Sequence, residues 1–208
     1  MMMSLIQNCM TLFLLLQKDE PEYKTGLCIH KPCTGDAYTM NHLNHKSNAA
    51  GILGVAVLIF IDQYTKHLAS VYLMNKNFVL IRYVFELEYL ENTGAAWGIL
   101  AGRHIFFVIV ACAITVLLSF YYILLPAARR FRPLKIFFVL ITAGALGNMI
   151  DRIAHGYVID FFYFSLINFP IFNVADICVS IGAVLLVLFV LFYYKDNELD
   201  IFRLNRKK

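Results

Sequence analysis

Apolar positions along this chain gather into four long runs separated by short polar stretches. Residues 49–61 are apolar or small without interruption, and Asp62, Gln63 and Lys66 close that run. Residues 105–125 carry no charge, and Pro126 ends them. Two further runs cover about 134–153 and 174–194. About 20 apolar residues suffice to cross a bilayer as a helix, so the pattern predicts four spanning helices. A fifth run, residues 12–16, is far too short to span.

Between the first two runs the pattern changes. In residues 78–90 (F-V-L-I-R-Y-V-F-E-L-E-Y-L), β-branched and aromatic side chains dominate, and Phe85, Leu87 and Tyr89 alternate with Glu86, Glu88 and Leu90. That predicts short strands rather than a helix. Asn92-Thr93-Gly94 supplies a turn. A small β element on the membrane surface is expected.

Composition agrees with the membrane class. The chain is 60% hydrophobic and 15% charged, against about 45–50% and about 25% in soluble domains. Five cysteines make no disulfide framework. Cys112 and Cys178 fall in apolar helices, and Cys28 and Cys33 near His30 fit no zinc pattern. Residues 1–48 differ from the rest, being mixed and polar without helical period, with no Lys or Arg ahead of the apolar run at 12–16. They read as a disordered cytoplasmic extension, with Met40 as an alternative start.

Charge placement sets the expected orientation. Arg129, Arg130, Arg132 and Lys135 crowd the 126–135 loop without an acid. The tail carries Lys195, Arg203, Arg206, Lys207 and Lys208, and no Lys or Arg falls between Arg152 and Lys195. By the positive-inside rule, that loop and both termini are cytoplasmic. The expected architecture is an all-α membrane protein: four transmembrane helices within residues 49–195, a small extracytoplasmic β element, and a basic cytoplasmic tail at 196–208.

This topology brings costly polar groups to one depth. Asp62, Asn92, Asp151, Arg152, Asp160 and Asp176 all map to the outer surface. Polar groups in such apolar surroundings must be paired or used. Gly144, Gly147, Asn148 and Asp151 share one helix face, and Asn173 with Asp176 suits a helix N-terminus. Asp62 with Lys66, and Asp151 with Arg152, read as structural ion pairs. Asn92 reads as a turn residue and Trp97 as an interfacial anchor. Asp160, between Ile159 and Phe161 with no base near it in sequence, calls for a use. His155 has no nucleophile motif beside it, and neither an H-E-x-x-H motif nor a phosphate-binding glycine loop is present. Two carboxylates in one low-dielectric site share a proton and can act together as acid and base on water. Such a hydrolase needs no metal and no cofactor. Residue types alone leave open which two of the four aspartates pair. The rival classes are a small transporter, which usually has broken helices and midplane polar groups, and a non-catalytic assembly factor.

Five motifs in order carry a resemblance: D-Q-Y-T-K (Asp62 to Lys66), E-N-T-G-A-A-W-G (Glu91 to Gly98), G-A-L-G-N-M-I-D-R (Gly144 to Arg152), G-Y-V-I-D-F (Gly156 to Phe161) and F-N-V-A-D (Phe172 to Asp176). From about Gly51 to Tyr194 the chain resembles the lipoprotein signal peptidases, or signal peptidase II. Residues 1–48 depart from the family's short N-terminus, and Trp97 stands where many members have phenylalanine. The resemblance implies a bacterial inner-membrane aspartic endopeptidase, active on the extracytoplasmic side, that cuts prolipoproteins just before their diacylglyceryl-modified cysteine. It implies a catalytic dyad of Asp160 and Asp176. Asp62, Lys66, Asn92, Asn148, Asp151, Arg152 and Asn173 are implied to shape or support the substrate pocket. It further implies a β cradle for substrate and inhibition by the cyclic peptide globomycin. Lipid-modified precursors and membrane lipids are the expected partners, nucleic acid is not, and one site per chain lets a monomer suffice.

Overall fold

The computed structural model of the chain describes residues 36–94 and 100–194. The apolar run at 12–16, Cys28, Cys33, Trp97 and the basic tail lie outside the described residues. Among the described residues, four helices are long and apolar enough to cross a membrane. Helix α1 (Asp36–Tyr72) leads into strands β1 (Phe78–Ile81) and β2 (Phe85–Asn92). Helix α2 (His104–Leu124), a short 3-10 turn (Arg129–Phe131) and helix α3 (Arg132–Ala154) follow. Strand β3 (Val158–Tyr163), a second 3-10 turn (Ser165–Ile167) and helix α4 (Val174–Phe192) complete the fold.

Helix α1 is longer at both ends than the hydrophobic run. Residues 36–48, assigned above to a disordered extension, are helical here. No Gly or Pro interrupts them, so no local breaker stops the helix. Ser47 anchors this part: its hydroxyl accepts from Lys135 Nζ at 2.7 Å, and its carbonyl accepts from the Tyr122 hydroxyl at 2.9 Å. At the other end the helix continues past Lys66 to Tyr72, so Asp62 and Lys66 sit inside it rather than at its close.

Helix α3 is the hub of the bundle. It packs against α1, α2 and α4, and most of its first half is buried. Helix α2 buries no residue at all, and side chains such as Ile109 and Val116 stand exposed on it. An apolar face open to that degree suits lipid rather than water. Small residues allow α3 and α4 to approach closely. A Cβ on Gly144 would strike the Ala175 carbonyl and lie 2.6 Å from Val179 Cγ2, and one on Gly182 would lie 2.7 Å from Ile141 Cγ1.

The β element is a three-stranded antiparallel sheet in the order β1-β2-β3. Strands were expected over 78–90. The third strand, V-I-D-F-F-Y, falls between the third and fourth apolar runs, where the pattern predicts no strand. It pairs with β2 so that Leu90 faces Asp160 and Asn92 faces Val158. A bridge from Phe162 to Phe172 then turns the chain back to the start of α4. Gly144→Val should overpack the α3–α4 contact and lower stability by about 1–3 kcal/mol; thermal unfolding in detergent checks this against an exposed α2 substitution such as Val116→Ala.

Candidate active site

The site is built around one buried cation. Lys66, on α1, is 2% exposed and lies 2.9 Å from both Asp62 Oδ2 and Asp151 Oδ2. Its ammonium also donates to Asn148 Oδ1 at 2.9 Å. Asp62 and Lys66 pair as the i, i+4 spacing predicts. The expected Asp151–Arg152 pair does not form: Lys66 is the cation of Asp151. Neighbouring helical residues point in different directions, and Arg152 turns away to donate to the carbonyls of Gly94 (3.0 Å) and Asn148 (3.3 Å).

Each acid in this cluster holds a different element. Asp62 Oδ1 accepts from the backbone N–H of Ala175 at 2.8 Å, so a carboxylate of α1 satisfies a free donor at the N-terminus of α4. Gly147 makes room for it, since a Cβ there would lie 2.6 Å from Asp62 Oδ2. Asp151 Oδ2 accepts from Ile159 N at 3.2 Å, which fixes β3 one residue before Asp160. Gln63, noted in the sequence only as closing the first run, donates to Asp151 Oδ1 (2.8 Å), Asp62 Oδ2 (3.2 Å) and the Gly147 carbonyl (3.2 Å). Its position beside Asp62 in D-Q-Y-T-K was the available signal.

Asparagines connect this base to two further acids. Asn148 Oδ1 accepts from Lys66 and, at 3.0 Å, from Asn173 Nδ2. Its amide NH₂ is thereby turned toward Asp176 Oδ1, 2.8 Å away. Asn173 caps α4 in a reciprocal box with Asp176, as its place before the apolar run suggested. Its Nδ2 also reaches Asp160 Oδ1 at 2.6 Å. On the other side, Asn92 Nδ2 donates to Asp160 Oδ2 at 2.9 Å, while Asn92 Oδ1 accepts from Gly94 N at 2.9 Å. Asn92 is therefore more than a turn residue: the turn orients its amide toward the acid.

Asp160 and Asp176 line one cleft of about 580 Å³ together with Asn92, Asn148 and Arg152. Asp62, Lys66, Asp151 and Asn173 stand behind its wall. Phe107 on α2 and Ile177, Ser180 and Ile181 on α4 extend the cleft along the membrane-facing helices; these residues sit in ordinary apolar sequence and carried no signal. Asp160 is 1% exposed. Burial, followed by the nearby Asp176 charge, pushes its carboxyl up to about 7, although Asn92, Asn173 and Lys66 pull the other way. His155 lies outside the cleft, exposed and stacked on Tyr157. Among the described residues no cluster of His, Cys, Asp and Glu could hold a metal ion.

Four apolar spans with a buried acidic cluster opening into one cleft define a multi-pass membrane protein with an enzyme-like site. The chain belongs to the signal peptidase II family, whose model, described as signal peptidase (SPase) II, matches residues 54–192. It is 41% identical over 144 residues to a lipoprotein signal peptidase of Brevibacillus brevis, covering 69% of this chain and 95% of that one. It is 38% identical over 143 residues to one of Caldanaerobacter subterraneus, covering 68% and 95%. A solved bacterial membrane enzyme superposes with a TM-score of 0.61 at 31% identity, covering 77% of this chain and 94% of its own. The chain is thus a membrane peptidase of a lipoprotein-processing family. Asp151→Asn should weaken the contacts to Lys66, Gln63 and Ile159 and lower stability by about 1–3 kcal/mol. Thermal unfolding in detergent checks this, and unchanged stability with lost turnover would contradict the bracing role.

Proposed function

We propose that the protein is an aspartic endopeptidase that cleaves diacylglyceryl-modified prolipoproteins just before the modified cysteine, with Asp160 and Asp176 as its dyad. The observation that carries this reading is the meeting of these two carboxyls in one cleft, linked through Asn173 and Asn148. Asp160, raised to about 7, holds the proton and hydrogen-bonds the scissile carbonyl oxygen. Asp176 takes a proton from water as the water oxygen attacks the carbonyl carbon. The tetrahedral adduct then collapses, the C–N bond breaks, and the proton held by Asp176 passes to the leaving nitrogen. The products are a signal peptide with a new carboxylate and a lipoprotein with a free cysteine amine. No metal or cofactor enters the step.

The remaining polar residues position this pair. Asn92 and Asn173 hold Asp160, Asn148 holds Asp176, and Arg152 faces the peptide backbone. Asp62, Lys66 and Asp151 keep the elements in register. The lipid anchor of the substrate fits the cleft's extension past Phe107 and Ile181, where the diacylglyceryl group remains in an apolar setting. Delivery within the membrane plane raises the effective concentration of the scissile bond. The basic 126–135 loop supports cytoplasmic termini and an extracytoplasmic dyad in the bacterial inner membrane. A non-cleavable cyclic peptide of the globomycin type would occupy the same cleft, and a monomer suffices.

Asp160→Asn and Asp176→Asn should each insert and fold yet lose about 10²–10⁴-fold in turnover of a lipidated precursor. Wild-type cleavage by both variants would remove the dyad assignment. Because Asp160 must be protonated, activity should be present below its raised pKa and fall as pH rises through about 7. A pH profile of kcat/KM in proteoliposomes measures this, and a rate still climbing well above that pH would contradict it.

A further inference from the structure

A second cavity, of about 400 Å³, opens on the other side of Arg152, between the start of α2 and the end of α3. His104, Arg152 and His155 line it with Ile105, Val108 and Ile153, and no acidic residue is among its lining. Ile105 and Ile153 belong to the bundle's open apolar face, at 64% and 66% exposure. Arg152 spends its terminal N–H groups on neutral carbonyls, lies 4.8 Å over the Phe107 ring, and leaves Nε without an acceptor among the described residues. Asp62 and Asp151 give their ion pairs to Lys66. Arg152 is a half-buried guanidinium that feels Asp176, Asp160 and Asp151 across the wall of the dyad cleft but has none of them at salt-bridge distance, and two imidazoles share its cavity. Positive and donor groups at the headgroup level, above an apolar face continuous with the lipid-facing surface, match one chemistry: a phosphate diester carrying acyl chains.

We propose that this cavity binds the headgroup of an anionic glycerophospholipid from the leaflet on the sheet side of the membrane. The phosphate is held by His104 and His155 in the field of Arg152, and the acyl chains lie along Ile105, Val108 and Ile153. Arg152 also lines the dyad cleft, so the bound lipid is one side chain away from the substrate. The site stands independently of the peptidase reading, because binding is read without turnover.

The test is native mass spectrometry of the full chain in detergent, offered equal amounts of phosphatidylglycerol and phosphatidylcholine. Wild type should retain one phosphatidylglycerol in preference to phosphatidylcholine. The His104→Ala/His155→Ala variant should lose roughly tenfold of that preference, the worth of one charge-assisted hydrogen bond. Excess inorganic phosphate should not displace the lipid. An equal preference in the variant would overturn the proposal, as would displacement by phosphate alone, which would mark a general anion site. If the double variant fails to fold, His155→Ala at its exposed position gives the same reading.

Discussion

The buried ammonium of Lys66 is the interaction on which the site depends. Three charged groups, one cation and two acids, are removed from solvent together, which is costly unless their geometry and hydrogen bonds are nearly complete. Here they are: Lys66 contacts Asp62, Asp151 and Asn148, and Gln63 supplies donors to both acids. Each acid then spends its remaining oxygen capacity on backbone, Asp62 on the first turn of α4 and Asp151 on β3. One cation thus ties α1 to α3 and, through its two acids, to the two elements that carry Asp160 and Asp176.

Orientation passes outward from that centre by the donor and acceptor identities of the asparagines. An amide has one acceptor end and one donor end. Lys66 and Asn173 occupy the acceptor of Asn148, so its donor end faces Asp176; the Asn92 turn uses the acceptor of Asn92, so its donor end faces Asp160. Neutral donors hold both carboxyls without adding a neighbouring cation at hydrogen-bond distance. That arrangement leaves burial free to raise the Asp160 carboxyl, which is what the proposed acid needs.

The spans were legible because an uninterrupted apolar run has few other structures open to it. The strands at 78–90 were legible because Phe85, Leu87 and Tyr89 alternate with Glu86 and Glu88. Strand β3 was not, because V-I-D-F-F-Y lacks alternation and pairs with a strand far away in sequence. Adjacency misled at Asp151 and Arg152, since a long-range contact to Lys66 decides the pairing and sequence neighbours on a helix diverge. The five motifs pointed to Asp160 and Asp176 by resemblance, and the fold brings these two to one cleft. The start of α1 ahead of Ala49 depends on contacts of Ser47 with α2 and α3, which no local pattern encodes.

Carboxyl titration followed by ¹³C NMR, with aspartate labelled in the reconstituted protein, tests most directly whether Asp160 and Asp176 share a proton. One aspartate should titrate near pH 7. That resonance should be absent in Asp160→Asn and should move to lower pH in Asp176→Asn, where the neighbouring charge is gone. A spectrum in which no aspartate titrates near neutrality, or in which the signal is indifferent to Asp176→Asn, would contradict a coupled dyad.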